Sequence, residues 1–130
     1  MSPNRFGFPK SARLLKSAEF RRVYQEGSRF VGPLFAAFYR RSDSGKPVRV
    51  GYTTPKAIGK AVARNRIKRR LREAVRVELP SAGPGWDIVF NPRRAVLDAD
   101  FSRVKAEVER LFGVLRSHNE EGPHRRADRV

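Results

Sequence analysis

One segment limits what this chain can fold into more than any other. Residues 60–76 carry eight Lys and Arg residues, and no Gly or Pro interrupts the chain until Pro80. At about 100° per residue, the apolar side chains fall on one arc of a helix and most cations on the adjoining arc. The apolar arc holds Ala63, Ile67, Leu71, Ala74 and Val75. The pattern predicts a helix from about Lys60 to Leu79, ended by Pro80, with one face in a core.

The adjoining face of this helix is unusually cationic. Arg64, Lys68, Arg72 and Arg76 follow one another at four-residue spacing, with Asn65 and Arg69 beside them. Like charges along about 18 Å of helix repel one another and lower helix stability unless an anion offsets them. A solvated helix face usually mixes signs, whereas an unbalanced cation cluster is typical of a nucleic-acid site. Composition does not distinguish RNA from DNA.

The charge of the whole chain supports a polyanionic partner. The net charge is +16, and residues 1–76 hold 20 basic and 4 acidic residues, against 9 of each in residues 77–130. Arg outnumbers Lys by 22 to 7. Because the guanidinium group binds phosphate through two parallel hydrogen bonds, this bias favours phosphate recognition.

Several classes of function are excluded or disfavoured. Without cysteine there is no disulfide framework, thiolate zinc site or cysteine nucleophile. The longest apolar run, Leu34 to Tyr39, is too short for a membrane span or signal peptide. His118 and His124 have no nucleophile or ligand cluster near them in sequence. We therefore expect a cytoplasmic protein with no membrane partner and no catalytic or metal-binding residue of its own.

The chain divides into a basic arm at 1–16, one α+β domain at 17–116 and a disordered tail at 117–130. Three helices are predicted, at 18–26, at 60–79 and after Asp98 or Asp100. Gly27 is suited to end the first of them in the left-handed conformation. The last helix has a core stripe of Phe101, Val104, Val108, Leu111, Phe112 and Leu115. Strands at 34–40 and 48–53 are predicted to pair as a hairpin. A buried strand is predicted at 86–90, followed by a loop at 91–97.

Two interpretations stay open from the pattern alone. Asn65, between two arginines, either reaches a phosphate, ribose or base, or is merely tolerated in the first turns of the helix. Phe20 and Tyr24 stand at helical spacing, which is typical of core residues.

A longer string carries a family resemblance. Gly51-Tyr-Thr-Thr-Pro-Lys-Ala-Ile-Gly59, followed by Arg64-Asn65-Arg66-Ile67-Lys68-Arg69, resembles the signature of the protein component of bacterial ribonuclease P. The similarity extends in consistent order from about residue 9 to residue 115. It implies the order α-β-β-β-α-β-α with a left-handed β-α-β crossover, the ribosomal protein S5 domain 2-like fold. A short additional strand is therefore expected near Arg29 to Val31.

The resemblance also implies a function. Members of this family are protein subunits of a ribonucleoprotein endonuclease that removes the 5′ leader from precursor tRNA. The catalytic RNA holds the catalytic centre and most of the Mg²⁺, and the protein binds that RNA and the leader. Carried over by position, the residues that face the catalytic RNA are Arg64, Asn65, Arg66, Lys68, Arg69 and Arg72. Those of the leader-binding cleft are Phe20, Tyr24 and Phe38.

One departure and two alternatives accompany the resemblance. Many relatives have a small residue and Arg before the proline that follows the last strand, whereas this chain has Asn91-Pro92-Arg93-Arg94. The rival function is a ribosomal-protein-like RNA-binding module with no catalytic role. DNA is not an expected partner, because strands rather than a short helix precede the basic helix.

Overall fold

Three helices and four strands alternate in the order α-β-β-β-α-β-α, as the resemblance predicts. The structure is a computed structural model that describes residues 17–42, 47–82 and 85–121, with side chains to His118. Its elements are α1 (Ser17–Glu26), β1 (Ser28–Val31), β2 (Phe35–Arg41), β3 (Arg49–Tyr52), α2 (Ala61–Ala82), β4 (Trp86–Pro92) and α3 (Phe101–Glu121). Short 3₁₀ turns at Lys56–Ile58 and Arg94–Leu97 precede α2 and α3. The expected additional strand is β1. The predicted arm at 1–16 lies outside the described residues.

The strands form one mixed sheet in the order β1-β2-β4-β3. β4 pairs antiparallel with β2 and parallel with β3. The predicted hairpin between β2 and β3 is therefore wrong. All five residues of β4 from Trp86 to Phe90 are buried, and a strand covered on both faces takes a central position, which separates β2 from β3. Since α2 connects the parallel strands β3 and β4, the predicted β-α-β crossover is present, and its left hand stays a prediction.

The main core lies between one face of the sheet and the helices α2 and α3. The buried side chains of α2 in this core are Ile67, Leu71, Ala74, Val75 and Ala82, and those of α3 are Val104, Val108, Leu111, Phe112 and Leu115. Among the described residues, the opposite face of the sheet is covered by α1, from which Val23 packs on Val89 of β4. On the same face, Arg29 and Val31 of the edge strand β1 are exposed and Phe38 of β2 is half-buried.

Several element boundaries differ from the predictions. α2 continues through Pro80 to Ala82, because Ala82 is buried and Arg116 of α3 donates to the Ser81 Oγ at 3.0 Å. β4 continues through Pro92, and a 3₁₀ turn replaces most of the predicted loop. Asp100 takes the position before α3, where its backbone oxygen accepts from the amides of Arg103 and Val104.

Three predicted roles were wrong. α3 runs to Glu121, so residues 117–121 are helical rather than part of a disordered tail, and His118 is buried against the rings of Tyr39 and Trp86. Phe101 is 38% exposed, because it lies at the start of α3, beyond the edge of the core. Gly27 does not have a positive φ. It is needed instead for close approach, since a Cβ there would lie 2.6 Å from the Tyr39 carbonyl oxygen.

Within the described part of the chain, no helix is both long and apolar enough to cross a lipid bilayer.

Candidate RNA interface

Aromatic side chains of α1 and of the sheet meet where α1 packs on the sheet. Side chains that are paired across strands point to the same face, so Arg29, Phe38, Val89 and Gly51 form one row across the sheet. Phe38 is half-buried, and its ring lies 4.9 Å from that of Tyr24 in an edge-to-face arrangement. Tyr24 itself is 37% exposed. We call the surface of Phe20, Tyr24, Phe38, Val31 and Asn91 the α1 cleft.

Gly51 makes room for the third aromatic ring of the α1 cleft. A Cβ at Gly51 would lie 2.5 Å from the Phe20 Cζ, so any side chain there would displace the ring. Phe20 is half-buried and packs on Val23 and Val89. The three aromatic residues that the resemblance assigned to a leader cleft therefore do lie together, each with part of its ring exposed or half-buried. Glycine within a strand commonly marks such a close approach.

Asn91 joins the two walls of the α1 cleft. Its Oδ1 accepts hydrogen bonds of 2.7 Å from both the Tyr24 hydroxyl on α1 and the Thr53 hydroxyl at the end of β3. The amide oxygen is thereby used, and the amide N–H groups of Asn91 remain as donors. Sequence reasoning noted Asn91 only as a departure from the family pattern. Asn91 lies two positions after Val89 and therefore on the same face of β4. This placement could not be assigned without the strand register.

Ion pairs also hold α1 on the sheet, away from Asn91. Arg49 of β3 donates two hydrogen bonds of 3.0 Å to the buried carboxylate of Asp87 and one of 2.6 Å to Glu19 of α1. Hydrogen bonding to Asp87 raises the pKa of Arg49, and Glu19 adds to this. Arg40 donates to Glu26 at 2.8 Å. These two arginines are therefore neutralised locally, and this end of the cleft is not a cationic site.

The cations of α2 fall into two groups: some are hydrogen-bonded or ion-paired within the protein, and others are not. Arg64 donates its Nε to the Gly59 carbonyl at 3.1 Å, and Arg70 donates to the carbonyls of Val96 and Ala99. Arg76 pairs with Glu73 at 2.9 Å. Among the residues that the structure describes, the remaining cations of this face have no carboxylate within ion-pair distance; they are Arg66, Lys68, Arg69 and Arg72. Asn65 is exposed beside them.

The six α2 residues carried over from the family thus lie along one exposed or half-exposed helix surface. The structure separates this surface from the α1 cleft, since α2 packs on the opposite face of the sheet from α1. Sequence reasoning also missed Arg29 and Val31, which lie exposed on the cleft face of the edge strand β1. Their alternation within a four-residue strand is a weak signal that could have indicated them.

Comparisons with known proteins agree on one family. The family model for Ribonuclease P matches residues 8–116. The Ribonuclease P protein component of Symbiobacterium thermophilum is 40% identical over 103 residues, which cover 79% of this chain and 90% of that relative. The RNase P protein of Staphylococcus aureus superposes with a TM-score of 0.70 at 28% identity, covering 81% of this chain and 95% of that one. For the RNase P protein of Thermotoga maritima the TM-score is 0.69 at 28% identity, with 77% and 94% covered.

Proposed function

We propose, since this chain belongs to the ribonuclease P protein family, that it uses two separate surfaces for two RNAs. The chain is a protein subunit of ribonuclease P and acts in tRNA processing. In our proposal, the cationic face of α2 binds the catalytic RNA, and the α1 cleft holds the 5′ leader of precursor tRNA. The bond is cleaved at a centre in the RNA, in the cytoplasm. Family membership favours this function over the ribosomal-protein-like module.

The unbound cations of α2 support the first assignment. Arg66, Lys68 and Arg69 pair with no carboxylate in the described part of the chain, so their charges are available to phosphates. Neutralising phosphates releases condensed counterions, which makes such binding strong and dependent on salt. Asn65 extends from the same surface, where its amide can reach a ribose or a base edge.

The observation that carries the second assignment is the grouping of Phe20, Tyr24 and Phe38 where α1 packs on the sheet, with Tyr24 exposed and the other two rings half-buried. Exposed aromatic surface beside a sheet is suited to stacking on unpaired bases, which contributes on the order of 1–3 kcal/mol per base. Stacking tolerates any base, as a subunit that serves many precursors requires. The locally neutralised Arg40 and Arg49 fit this stacking mode better than a phosphate site.

The protein's own carboxylates do not fit a Mg²⁺ site near the cleft. Glu19 and Asp87 both accept hydrogen bonds from Arg49, and Glu26 accepts from Arg40, so each would have to give up a cation to bind a metal. Mg²⁺ prefers nearly octahedral oxygen ligands that are free to bind it. We therefore assign the Mg²⁺ of the reaction to the RNA.

Cleavage of a precursor tRNA by the cognate RNA at low Mg²⁺, with and without this protein, tests the proposal. We expect stimulation by the protein. Phe20→Leu keeps apolar packing on Val23 but removes the aromatic face. It should therefore weaken the binding of leader-bearing tRNA by about tenfold and leave the binding of mature tRNA unchanged. Phe101→Leu makes the same change at a more exposed ring outside the cleft and is the control. If the protein does not stimulate cleavage, the ribosomal-protein-like module is the better interpretation. If Phe20→Leu weakens binding of both tRNAs equally, Phe20 is a core residue and not a leader contact.

A further inference from the structure

A second cavity lies apart from the α1 cleft, at the start of α2. Its volume is about 560 Å³, within the range of roughly 300–1,000 Å³ that is typical of ligand sites. Residues from the loop before α2, from the first turns of α2 and from the 3₁₀ turn after β4 form its walls: Gly59, Lys60, Val62, Ala63, Arg66, Arg94, Leu97 and Asp98. The cavity therefore adjoins the cationic face of α2, with Arg66 common to both.

The floor of this cavity is apolar and unusually exposed. Val62 is 81% exposed in the first turn of α2, where Ala63 and Leu97 lie beside it. A single exposed valine needs no explanation. Here, however, the apolar surface is set between Lys60 and Arg66 and faces a concave space. Apolar surface between cations suits a flat aromatic group attached to a phosphate, which is the chemistry of a nucleotide.

Arg94 lies at the wall of this cavity, where its guanidinium group is hydrogen-bonded to the backbone. Its Nη1 donates to the Ile58 carbonyl at 2.6 Å. Gly59 has φ 156° and ψ −170°, a region essentially restricted to glycine, and a Cβ there would lie 2.8 Å from the Arg94 Nη1. The missing side chain therefore leaves room for the Arg94 guanidinium group beside the backbone of Gly59. A guanidinium held in this way is a preorganised surface on which a base can stack.

Asp98 indicates which base edge the cavity would accept. Asp100 rather than Asp98 precedes α3, and no ion pair to the Asp98 carboxylate is present in the described ranges. An ionised carboxylate only accepts hydrogen bonds and repels phosphate, so the group that it faces must donate. Guanine offers two adjacent N–H donors on its Watson–Crick edge, whereas adenine and cytosine offer one amino group.

We propose that this cavity receives an unpaired guanine base of the catalytic RNA. The base stacks on Arg94 above Val62 and Leu97, its edge donates to Asp98, and its phosphates lie against Lys60 and Arg66. This rests on the proposed function only in taking the catalytic RNA as the ligand of α2. The cavity differs from the phosphate-binding face of α2 because its contribution comes from apolar contact and base recognition.

Two valines on one helix provide the first test. Val62→Gln should weaken binding of the cognate catalytic RNA by about tenfold, without changing the slope of log affinity against log salt. Val77→Gln, at a valine of the same helix that is 55% exposed and remote from the cavity, should have no effect. Equal effects of the two substitutions, or a slope reduced by Val62→Gln, would overturn the proposal.

The second test uses nucleotides and the intact protein. Amide NMR shifts of residues 59–63 and 94–98 should respond to guanosine monophosphate more than to cytidine monophosphate, and Asp98→Asn should remove this preference. If inorganic phosphate alone reproduces the same shifts, the cavity binds only anions and the base assignment is wrong. Failure of the wild-type protein to bind the RNA would refute the proposed function, whereas wild-type binding with an inert Val62→Gln would refute this inference alone.

Discussion

The cations of α2 differ in how many of their donors are already used. Arg70 bonds two backbone carbonyls near the start of α3 and lies 5.8 Å from the ring of Phe101, so it joins α2 to α3. Arg66 and Lys68 bind no described carboxylate. They stand two positions apart, toward opposite edges of the exposed surface of α2, so they would contact different phosphates.

Arg66→Ala and Lys68→Ala should therefore each weaken binding to the catalytic RNA and reduce the slope of log affinity against log salt by about one. Arg103→Ala removes an exposed cation of α3 that has no described partner and serves as the control. Affinity measured between low and moderate salt gives the slopes. Slopes equal to that of the wild type would argue against phosphate contacts at these positions.

Tyr52 makes the stability of the fold depend on pH under alkaline conditions. Its hydroxyl is buried with no hydrogen-bond partner in the described part of the chain, and burial raises its pKa well above the ordinary value of 10.0, an effect that nearby Arg72 partly opposes. Because the folded state favours the neutral form, this contribution to stability is complete below pH 10 and falls as the pH rises above it.

Tyr52→Phe should thus raise the free energy of unfolding by about 1 kcal/mol at pH 7, since it removes an unpaired hydroxyl, and by more at pH 10.5. Urea unfolding at both pH values measures this. Tyr24→Phe, which loses the hydrogen bond to Asn91, should not stabilise the protein. A Tyr52→Phe variant that is less stable than the wild type at pH 7 would contradict the prediction.

Helix α1 is held mainly by polar contacts. Val23 is its only fully buried residue, and Glu19 and Glu26 tie its two ends to Arg49 and Arg40 on the sheet. Its position sets the width of the α1 cleft. Loss of the Arg49 contacts would leave the Asp87 carboxylate, which is 4% exposed, without its cation.

Arg49→Met should consequently lower the free energy of unfolding by about 3 kcal/mol, because breaking one side of a buried ion pair leaves an uncompensated charge. It should also weaken leader binding through displacement of α1. Arg76→Met removes an exposed pair with Glu73 and should change stability by less than about 1 kcal/mol. Chemical denaturation compares the two, and similar losses would show that Arg49 is not an anchor.

The molecule as a whole concentrates its positive charge in residues 1–76, which include α1 and most of α2. The remainder is neutral and supplies β4 and α3, the centre of the sheet and half of the helical layer. Repulsion among the cations lowers the stability of the free protein, and an anion that binds the folded surface offsets it.

Sulfate should accordingly raise the melting temperature by roughly 5 °C or more relative to potassium chloride at equal ionic strength. The chloride series separates screening from binding. Thermal unfolding followed by circular dichroism provides the measurement. A melting temperature that responds identically to both salts would exclude specific anion binding.

Local pattern was sufficient for the helices, most strands and the charge distribution. The 3.6-residue period of α2 reflects contacts along one helix, and Ile67 and Leu71 are buried as it predicts. The resemblance, carried by the Gly51–Gly59 loop and the Arg64–Arg69 segment, supplied the element order and grouped Phe20, Tyr24 and Phe38. These properties depend on neighbours in sequence or on a shared ancestor.

Only the tertiary structure decided which distant residues meet. The central place of β4, the bridging of Tyr24 and Thr53 by Asn91, and the hydrogen bond from Arg94 to the Ile58 carbonyl all join positions more than 30 residues apart. Pairing of β2 and β3 was equally compatible with their sequences, since alternation specifies a face and not a partner strand. Local propensity therefore defined the elements, whereas long-range packing placed the two RNA surfaces and the cavity at the start of α2.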